Sequence, residues 1–321
     1  MKDFYYGSVC SGVEAATVAW HSLGWKPAWF CEFDKFPSAV LSHHYPDVPN
    51  LNDMTKIEEQ KEYNDRTINL LVGGTPCQSF SVAGLRKGLD DDRGNLALKF
   101  CEILRDKQPR WFVWENVPGV LSSNERRDFA AILSGFSECG YGFAYRVLDA
   151  QYFGVPQRRR RVFVVGCLGN WKAAAAVLFE QESLHGNYPP SRKAGKNTAG
   201  FTSSGFAKYS EGVGTLRAEG GDLGGGSETL AVLSDEKWPA KLSSTLNASF
   251  GEGLEIRRLT PIECERLQGF PDNYTAIPWR GKKAKNCPDG PRYKAMGNSM
   301  AVPVMRWIGE RIKMFERLND D

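Results

Sequence analysis

The chain is 321 residues long, 41% hydrophobic and 25% charged, with a formal net charge of +3. No apolar run approaches the roughly 20 residues needed to cross a bilayer, and residues 1–9 lack the basic flank and apolar stretch of a signal peptide, so a globular protein working in the cytoplasm is expected. Eight cysteines without a CxxC pair and four histidines without zinc spacing argue against a disulfide framework and a structural metal, and reduced thiols are expected.

In chain order, residues 5–9 read as a first strand, followed by glycine and small residues and then a helix over 15–23. Further strands are expected at 28–31, 68–72, 111–114 and 161–167, with helices at 95–105 and 127–139. Short β-branched or aromatic runs alternating with longer helical stretches predict an α/β fold, a doubly wound, Rossmann-like parallel sheet covered by helices on both faces. From about 169 to 254 the composition shifts to glycine, serine, threonine and lysine with weak periodicity, including Gly220 to Gly226. Thr260 and Glu263 then have the spacing of a capping box, with Pro261 in the first helical turn, and a last helix is expected over 302–318. The expected organisation is a first domain over 1–168, a smaller loop-rich region over 169–254, and a C-terminal part over 255–321 that returns to the first domain.

Residues with chemical character fall just past the apolar runs: Ser11 and Gly12 after 5–9, Glu32 after 28–31, Cys77 after 68–72 and Glu115 after 111–114. In doubly wound sheets that rim binds ligands, although any loop between strand and helix collects polar residues and glycine. Cys77 follows a buried strand through the turn Gly73-Gly74-Thr75-Pro76, which presents one thiol. A nucleophilic cysteine needs such a placement, while a lone cysteine read by itself is a small buried hydrophobe.

The run Gly73-Gly74-Thr75-Pro76-Cys77-Gln78-Ser79-Phe80-Ser81 resembles the catalytic motif of the DNA (cytosine-5) methyltransferases. Other motifs of that family follow in its order: Glu115-Asn116-Val117, then Gln157-Arg158-Arg159-Arg160-Arg161, then Arg258-Leu259-Thr260-Pro261 with Gln268-Gly269-Phe270-Pro271, and finally Met296-Gly297-Asn298-Ser299. The resemblance spans nearly the whole chain outside 169–254 and points to phage, prophage or bacterial members. It implies methyl transfer from S-adenosylmethionine to carbon 5 of cytosine in double-stranded DNA. In that chemistry Cys77 adds to carbon 6, Glu115 supports the ring nitrogen N3, and Arg159 and Arg161 hold the pyrimidine carbonyl and orient Glu115. Taken singly, Glu115 also reads as a strand-end acid and Arg158 to Arg161 as a phosphate-contacting patch.

On the cofactor side, the glycine turn at Ser11, Gly12 and Val13 and the acid Glu32 after the second strand are placed to grip an adenosine. The resemblance adds Phe33 stacking on the adenine, Asp53 and Met54 at its edge, and Pro76, Leu96, Asn298 and Ser299 completing the pocket. The first motif departs from the common family pattern: Cys10 stands where phenylalanine is usual and Glu14 where a second glycine is usual. No GxGxxG run follows the first strand, so nicotinamide is not suggested.

A base attacked on its ring must leave the helical stack, which predicts base flipping and a closing loop over 78–95 with Gly84 and Gly88 as hinges. Positive charge gathers at Arg158 to Arg161 and at Arg280, Lys282, Lys283 and Lys285. By position, 169–254 is the target-recognition region, with Arg192, Lys193, Lys196, Lys208 and Arg217 as candidate contacts. A monomer is expected. A cognate restriction endonuclease is a possible partner, and protection of a phage genome, restriction partnership and gene regulation remain open. Three rivals stand beside this reading: a transfer-RNA cytosine-5 methyltransferase, an inert DNA-binding scaffold, and a nucleotide-dependent oxidoreductase.

Overall fold

The structure is a computed structural model and describes residues 3–76, 96–179, 230–234 and 254–320. Cys77, the expected loop over 78–95, and all five candidate DNA contacts between Arg192 and Arg217 lie outside the described residues.

The chain begins with β1 (Tyr5–Val9), α1 (Ala15–Trp20) and a 3₁₀ turn (His21–Leu23), then β2 (Lys26–Cys31) and α2 (Lys35–His44). It continues through α3 (Lys61–Asp65), β3 (Leu70–Gly73), α4 (Leu96–Lys107), β4 (Trp111–Asn116) and α5 (Arg127–Glu138). β5 (Tyr141–Asp149) and β6 (Arg160–Leu168) precede α6 (Trp171–Leu178), and a small hairpin is formed by β7 (Leu230–Ser234) and β8 (Leu254–Arg258). Three helices close the fold: α7 (Pro261–Gln268), α8 (Asp289–Asn298) and α9 (Val302–Asp320).

The six-stranded sheet has the order β2-β1-β3-β4-β6-β5. β2, β1, β3 and β4 are mutually parallel, as the alternating pattern predicts. The last two strands correct the all-parallel expectation, because β6 runs antiparallel to both β4 and β5. The connection from β5 to β6 carries one 3₁₀ turn (Ala150–Phe153) and no crossover helix, so it can only join antiparallel neighbours.

Strand alternation builds the two faces. On β4, Trp111 and Val113 enter a core shared with α1, α6 and α9, while Phe112 and Trp114 enter the opposite core with α4 and α5. Gly7 is required at the β1–β2 pairing, since a Cβ there would collide with the Trp29 ring.

α6 lies inside the stretch whose composition reads as loop. Asn170 caps it by accepting from the Ala173 N–H at 3.1 Å, and Ala173, Ala174, Val177 and Leu178 are buried against the sheet. This helix packs on the sheet although it follows residue 168. The expected capping box is present: Thr260 Oγ1 accepts from the Glu263 N–H at 3.3 Å, and the Thr260 N–H donates to Glu263 Oε2 at 2.7 Å. Among the described residues no helix is long and apolar enough to cross a membrane, and no group of three His, Cys, Asp or Glu side chains could hold a metal.

Candidate active site

A cleft opens at the carboxyl ends of β1 to β4. It is lined by Gly12, Glu32, Phe33, Asp53, Met54, Pro76, Leu96, Glu115, Arg159, Arg161 and Asn298, so eleven of the fifteen residues proposed from the sequence meet there. Ser11 and Ser299 face a smaller cavity that shares Gly12, Glu115 and Asn298 with the cleft. Val13 is the exception among the described residues. Its side chain is wholly buried in the core with α1 and α9, and only its carbonyl meets a polar partner, the Tyr274 hydroxyl at 3.0 Å. The motif fixes the backbone path there and not a side-chain contact.

The segment Gly74 to Pro76, which leads to Cys77, is strapped to β4. Trp114 Nε1 donates to Thr75 Oγ1 at 2.9 Å and Asn116 Nδ2 donates to the Thr75 carbonyl at 2.9 Å. Between these two residues, on the other strand face, Glu115 turns toward the cleft. Gly74 passes directly beneath it, where a Cβ would lie 2.8 Å from Glu115 Oε2 and 3.2 Å from the Met300 terminal methyl.

Glu115 is 8% exposed and pairs through Oε1 with Arg161 Nε at 3.0 Å. Burial raises its pKa above the usual carboxylate value, with Arg161 and Arg159 pulling the other way, so its carboxyl holds a proton more readily than a surface glutamate. The arginine run alternates: Arg158 and Arg160 are exposed while Gln157 and Arg159 are buried. Arg159, which also lines the cleft, donates through Nη2 to the carbonyls of Gly297 at 3.0 Å and Ser299 at 2.7 Å. Burial and the neighbouring Arg161 push its pKa down to about 9, which leaves it cationic at neutral pH. Gln157 Nε2 donates to the Leu267 carbonyl at 3.0 Å and Gln268 Nε2 to the Met296 carbonyl at 2.8 Å, joining the β5–β6 connection to α7 and α8.

At the other end of the cleft Phe33 is 77% exposed, an unusual position for a large apolar ring that leaves one broad face open to a planar partner. Glu32 beside it accepts from the Gly12 N–H at 2.7 Å and the Asp34 N–H at 2.7 Å, with the Phe33 N–H as a further donor, which leaves part of the four-site acceptor capacity of a carboxylate open. Gly12 has φ +59°, so a side chain there would strain the turn. Asp53 spends Oδ1 on capping, accepting from the Thr55 N–H at 2.9 Å and hydroxyl at 2.7 Å. Sequence reasoning missed the straps and braces of this site, Thr75, Trp114, Asn116 and Asp149. Of these, Asp149 accepts from the Arg159 backbone N–H at 2.9 Å.

A family model described as C-5 cytosine-specific DNA methylase matches residues 4–314. A "Type II methyltransferase M2.BsuMI" of Bacillus subtilis (strain 168) is 32% identical, covering 95% of this chain and 74% of that protein. "Type II methyltransferase M.HpaII" of Haemophilus parainfluenzae is 29% identical over 97% of this chain and 89% of its own length. A protein of Escherichia phage P1 named "DNA N-6-adenine-methyltransferase" is 37% identical over 97% of this chain, which spans 61% of that longer protein. Among solved structures, a Spodoptera frugiperda DNMT2 variant superposes with a TM-score of 0.67 at 19% identity, covering 98% of this chain and 100% of that one, a likeness of fold.

Proposed function

Because the chain belongs to the C-5 cytosine-specific DNA methylase family, we propose that it transfers the methyl group of S-adenosylmethionine to carbon 5 of a cytosine flipped out of double-stranded DNA. The observation that carries this reading is the buried Glu115–Arg161 pair, facing the same cleft as the open Phe33 ring and reached by the strapped segment that leads to Cys77.

The cleft residues fit the cofactor. Phe33 offers a stacking face for adenine, Glu32 keeps acceptor capacity for the ribose hydroxyls, and Gly12 and Asn298 border the space for the amino-acid end. S-adenosylmethionine, when bound there, supplies an electrophilic methyl group. Cys77 adds as a thiolate to carbon 6 of the cytosine, which makes carbon 5 nucleophilic. Glu115 holds a proton at ring nitrogen N3, where the addition places electron density, and its raised pKa suits a group that must donate near neutral pH. Arg161 fixes the direction of that carboxyl, and Arg159 holds the Gly297 to Ser299 segment against the cleft wall. After methyl transfer N3 returns its proton to Glu115, water takes the carbon 5 proton, the electrons of that C–H bond re-form the 5,6 double bond, and Cys77 leaves carbon 6 as the thiolate. Arg158 and Arg160, exposed on the rim, are suited to phosphates. The protein acts as a monomer in the cytoplasm.

The name of the phage P1 relative points to adenine N6 as the acceptor. That exocyclic amine attacks a methyl group directly and needs no cysteine addition, so the chemistry around Glu115 favours cytosine. The deciding experiment incubates the purified chain and its Cys77→Ala variant with S-adenosylmethionine and mixed-sequence duplex DNA. The bases are then read by bisulfite sequencing and by mass spectrometry of the digested nucleosides. We expect 5-methylcytosine at one recurring motif with the wild type only, and cofactor binding retained by the variant. N6-methyladenine alone, or methylation of transfer RNA in place of DNA, would overturn the proposal.

A further inference from the structure

The loop between β1 and α1 carries the cofactor-side Gly12, and its backbone is held in an unusual way. Three of its residues lie in the left-handed region, Cys10 (φ 48°), Gly12 (φ 59°) and Glu14 (φ 62°), and only one of them is glycine. Glu14 is a long charged residue that is 1% exposed. Its carboxylate accepts three hydrogen bonds. Oε1 takes the Ser8 hydroxyl, and Oε2 takes the Thr17 N–H at 3.0 Å and the Thr17 hydroxyl at 2.6 Å. Thr17 Oγ1 in turn lies 2.7 Å from the Tyr6 hydroxyl, which completes a buried relay from Tyr6 through Thr17 to Glu14.

Ser8 belongs to β1 and Thr17 to α1, so one side chain in the loop joins the end of the strand to the first turn of the helix. The residues it brackets, 9 to 13, include the Gly12 N–H that donates to Glu32, and Ser11, whose hydroxyl donates to the Ser8 carbonyl at 3.0 Å. Glu14 also borders the small cavity shared with Ser11, Gly12, Asn298 and Ser299. Glycine at position 14 would reach the same φ without strain but would supply no acceptor for Ser8 or Thr17.

We propose that Glu14 is a positioning residue for cofactor binding, a buried clamp that sets the Cys10 to Val13 backbone by tying Ser8 of β1 to Thr17 of α1. It acts through the loop and does not touch the reacting atoms. This inference rests on the reading of the cleft as an S-adenosylmethionine site. Burial pushes the Glu14 carboxyl upward while the bonds from Ser8 and Thr17 hold it down, and an amide oxygen can take over the two Thr17 bonds while Ser8 turns to accept from the amide nitrogen. The clamp is thus a matter of acceptor placement, and glutamine should restore it.

The test is calorimetric titration of the full chain with S-adenosylmethionine in the absence of DNA, comparing wild type, Glu14→Gly, Glu14→Gln and Ser8→Ala, beside steady-state methylation and thermal unfolding. We expect Glu14→Gly to raise the Kd about tenfold, equivalent to ~1.4 kcal/mol. KM for the cofactor should rise in parallel, with kcat and KM for DNA within about twofold. Glu14→Gln should recover most of the affinity, and Ser8→Ala, which leaves the backbone unchanged, should lose about threefold, or ~0.65 kcal/mol. Wild-type affinity in both Glu14→Gly and Ser8→Ala overturns the clamp. So does a Glu14→Gln variant as weak as Glu14→Gly, or a loss of DNA binding equal to the loss of cofactor binding. Absence of binding by the wild type would instead overturn the cofactor site itself, and the clamp with it.

Discussion

Replacing Gly74 by alanine places a methyl group directly under the carboxylate on which the proposed chemistry depends. The added Cβ would lie 2.8 Å from Glu115 Oε2, against a carbon–oxygen contact of about 3.3 Å or more. Something must give by roughly 0.5 Å. Retreat of the carboxylate stretches the 3.0 Å bond between Glu115 Oε1 and Arg161 Nε to about 3.5 Å, where a hydrogen bond has lost most of its strength. The alternative is retreat of Gly74, whose neighbour Thr75 is bonded at both its hydroxyl and its carbonyl to Trp114 and Asn116. A hydrogen bond to a charged group is worth about 1.5–3 kcal/mol, which corresponds to a fall in kcat of about 10- to 100-fold if the misplacement is felt in the transition state. Initial rates of labelled methyl transfer to duplex DNA would measure it, with cofactor Kd expected within about twofold of wild type because Phe33 and Glu32 sit at the far end of the cleft. A Gly74→Ala protein that folds normally and keeps its full kcat would refute the geometry assigned to Glu115.

Further predictions concern other parts of the fold. Phe33→Ala should raise the Kd for S-adenosylmethionine by about tenfold, the scale of one base stacked on an aromatic ring, while leaving thermal unfolding unchanged because the ring is 77% exposed; unchanged affinity in calorimetry would remove Phe33 from the site. Burial raises the Glu115 pKa above its ordinary 4.5, so the native chain binds that proton more readily than the unfolded one. Its contribution to stability is therefore full below pH 4.5 and fades as pH rises through the native value. Urea unfolding of wild type and Glu115→Gln should show the wild type losing ground to the variant as pH rises through that window, and a constant difference would contradict the direction of the shift. Arg292→Ala should destabilise the protein by about 3–5 kcal/mol, since its guanidinium reaches Glu265, wholly buried between α7 and α8, at 3.0 Å; a loss under about 1 kcal/mol in denaturant unfolding would mean that the pair is dispensable.

Much of this architecture was legible in the sequence because hydrophobic period and cap chemistry are local signals. β1 coincides with the expected residues 5–9, and the Thr260–Glu263 box begins α7 where the spacing places it. Strand direction is not a local signal. β6 reads as one more buried run, and only the short connection from β5 makes it antiparallel. β5 itself was invisible because Gly142 and the partly exposed residues Tyr145 and Arg146 break both alternation and burial. α6 was hidden by the glycine-rich composition that follows it, although its alanines and the Asn170 cap are helix signals in their own right. At the site, residue types in motif order identified the lining, while the partner of each polar group depended on residues far apart in sequence. Arg159 reads as a substrate clamp, yet it spends Nη2 on two carbonyls about 140 positions away. Val13 follows the same logic in reverse, a motif residue whose side chain serves the core.

Several bonds join the early and late parts of the chain around the cleft: Trp20 Nε1 to the Met305 carbonyl at 2.7 Å, His44 Nε2 with the Tyr274 carbonyl at 2.7 Å, Gln157 to Leu267, and Arg159 to Gly297 and Ser299. A change at any of these bonds in one portion therefore displaces the cleft wall supplied by the other, so the early and late parts of the chain set the pocket jointly.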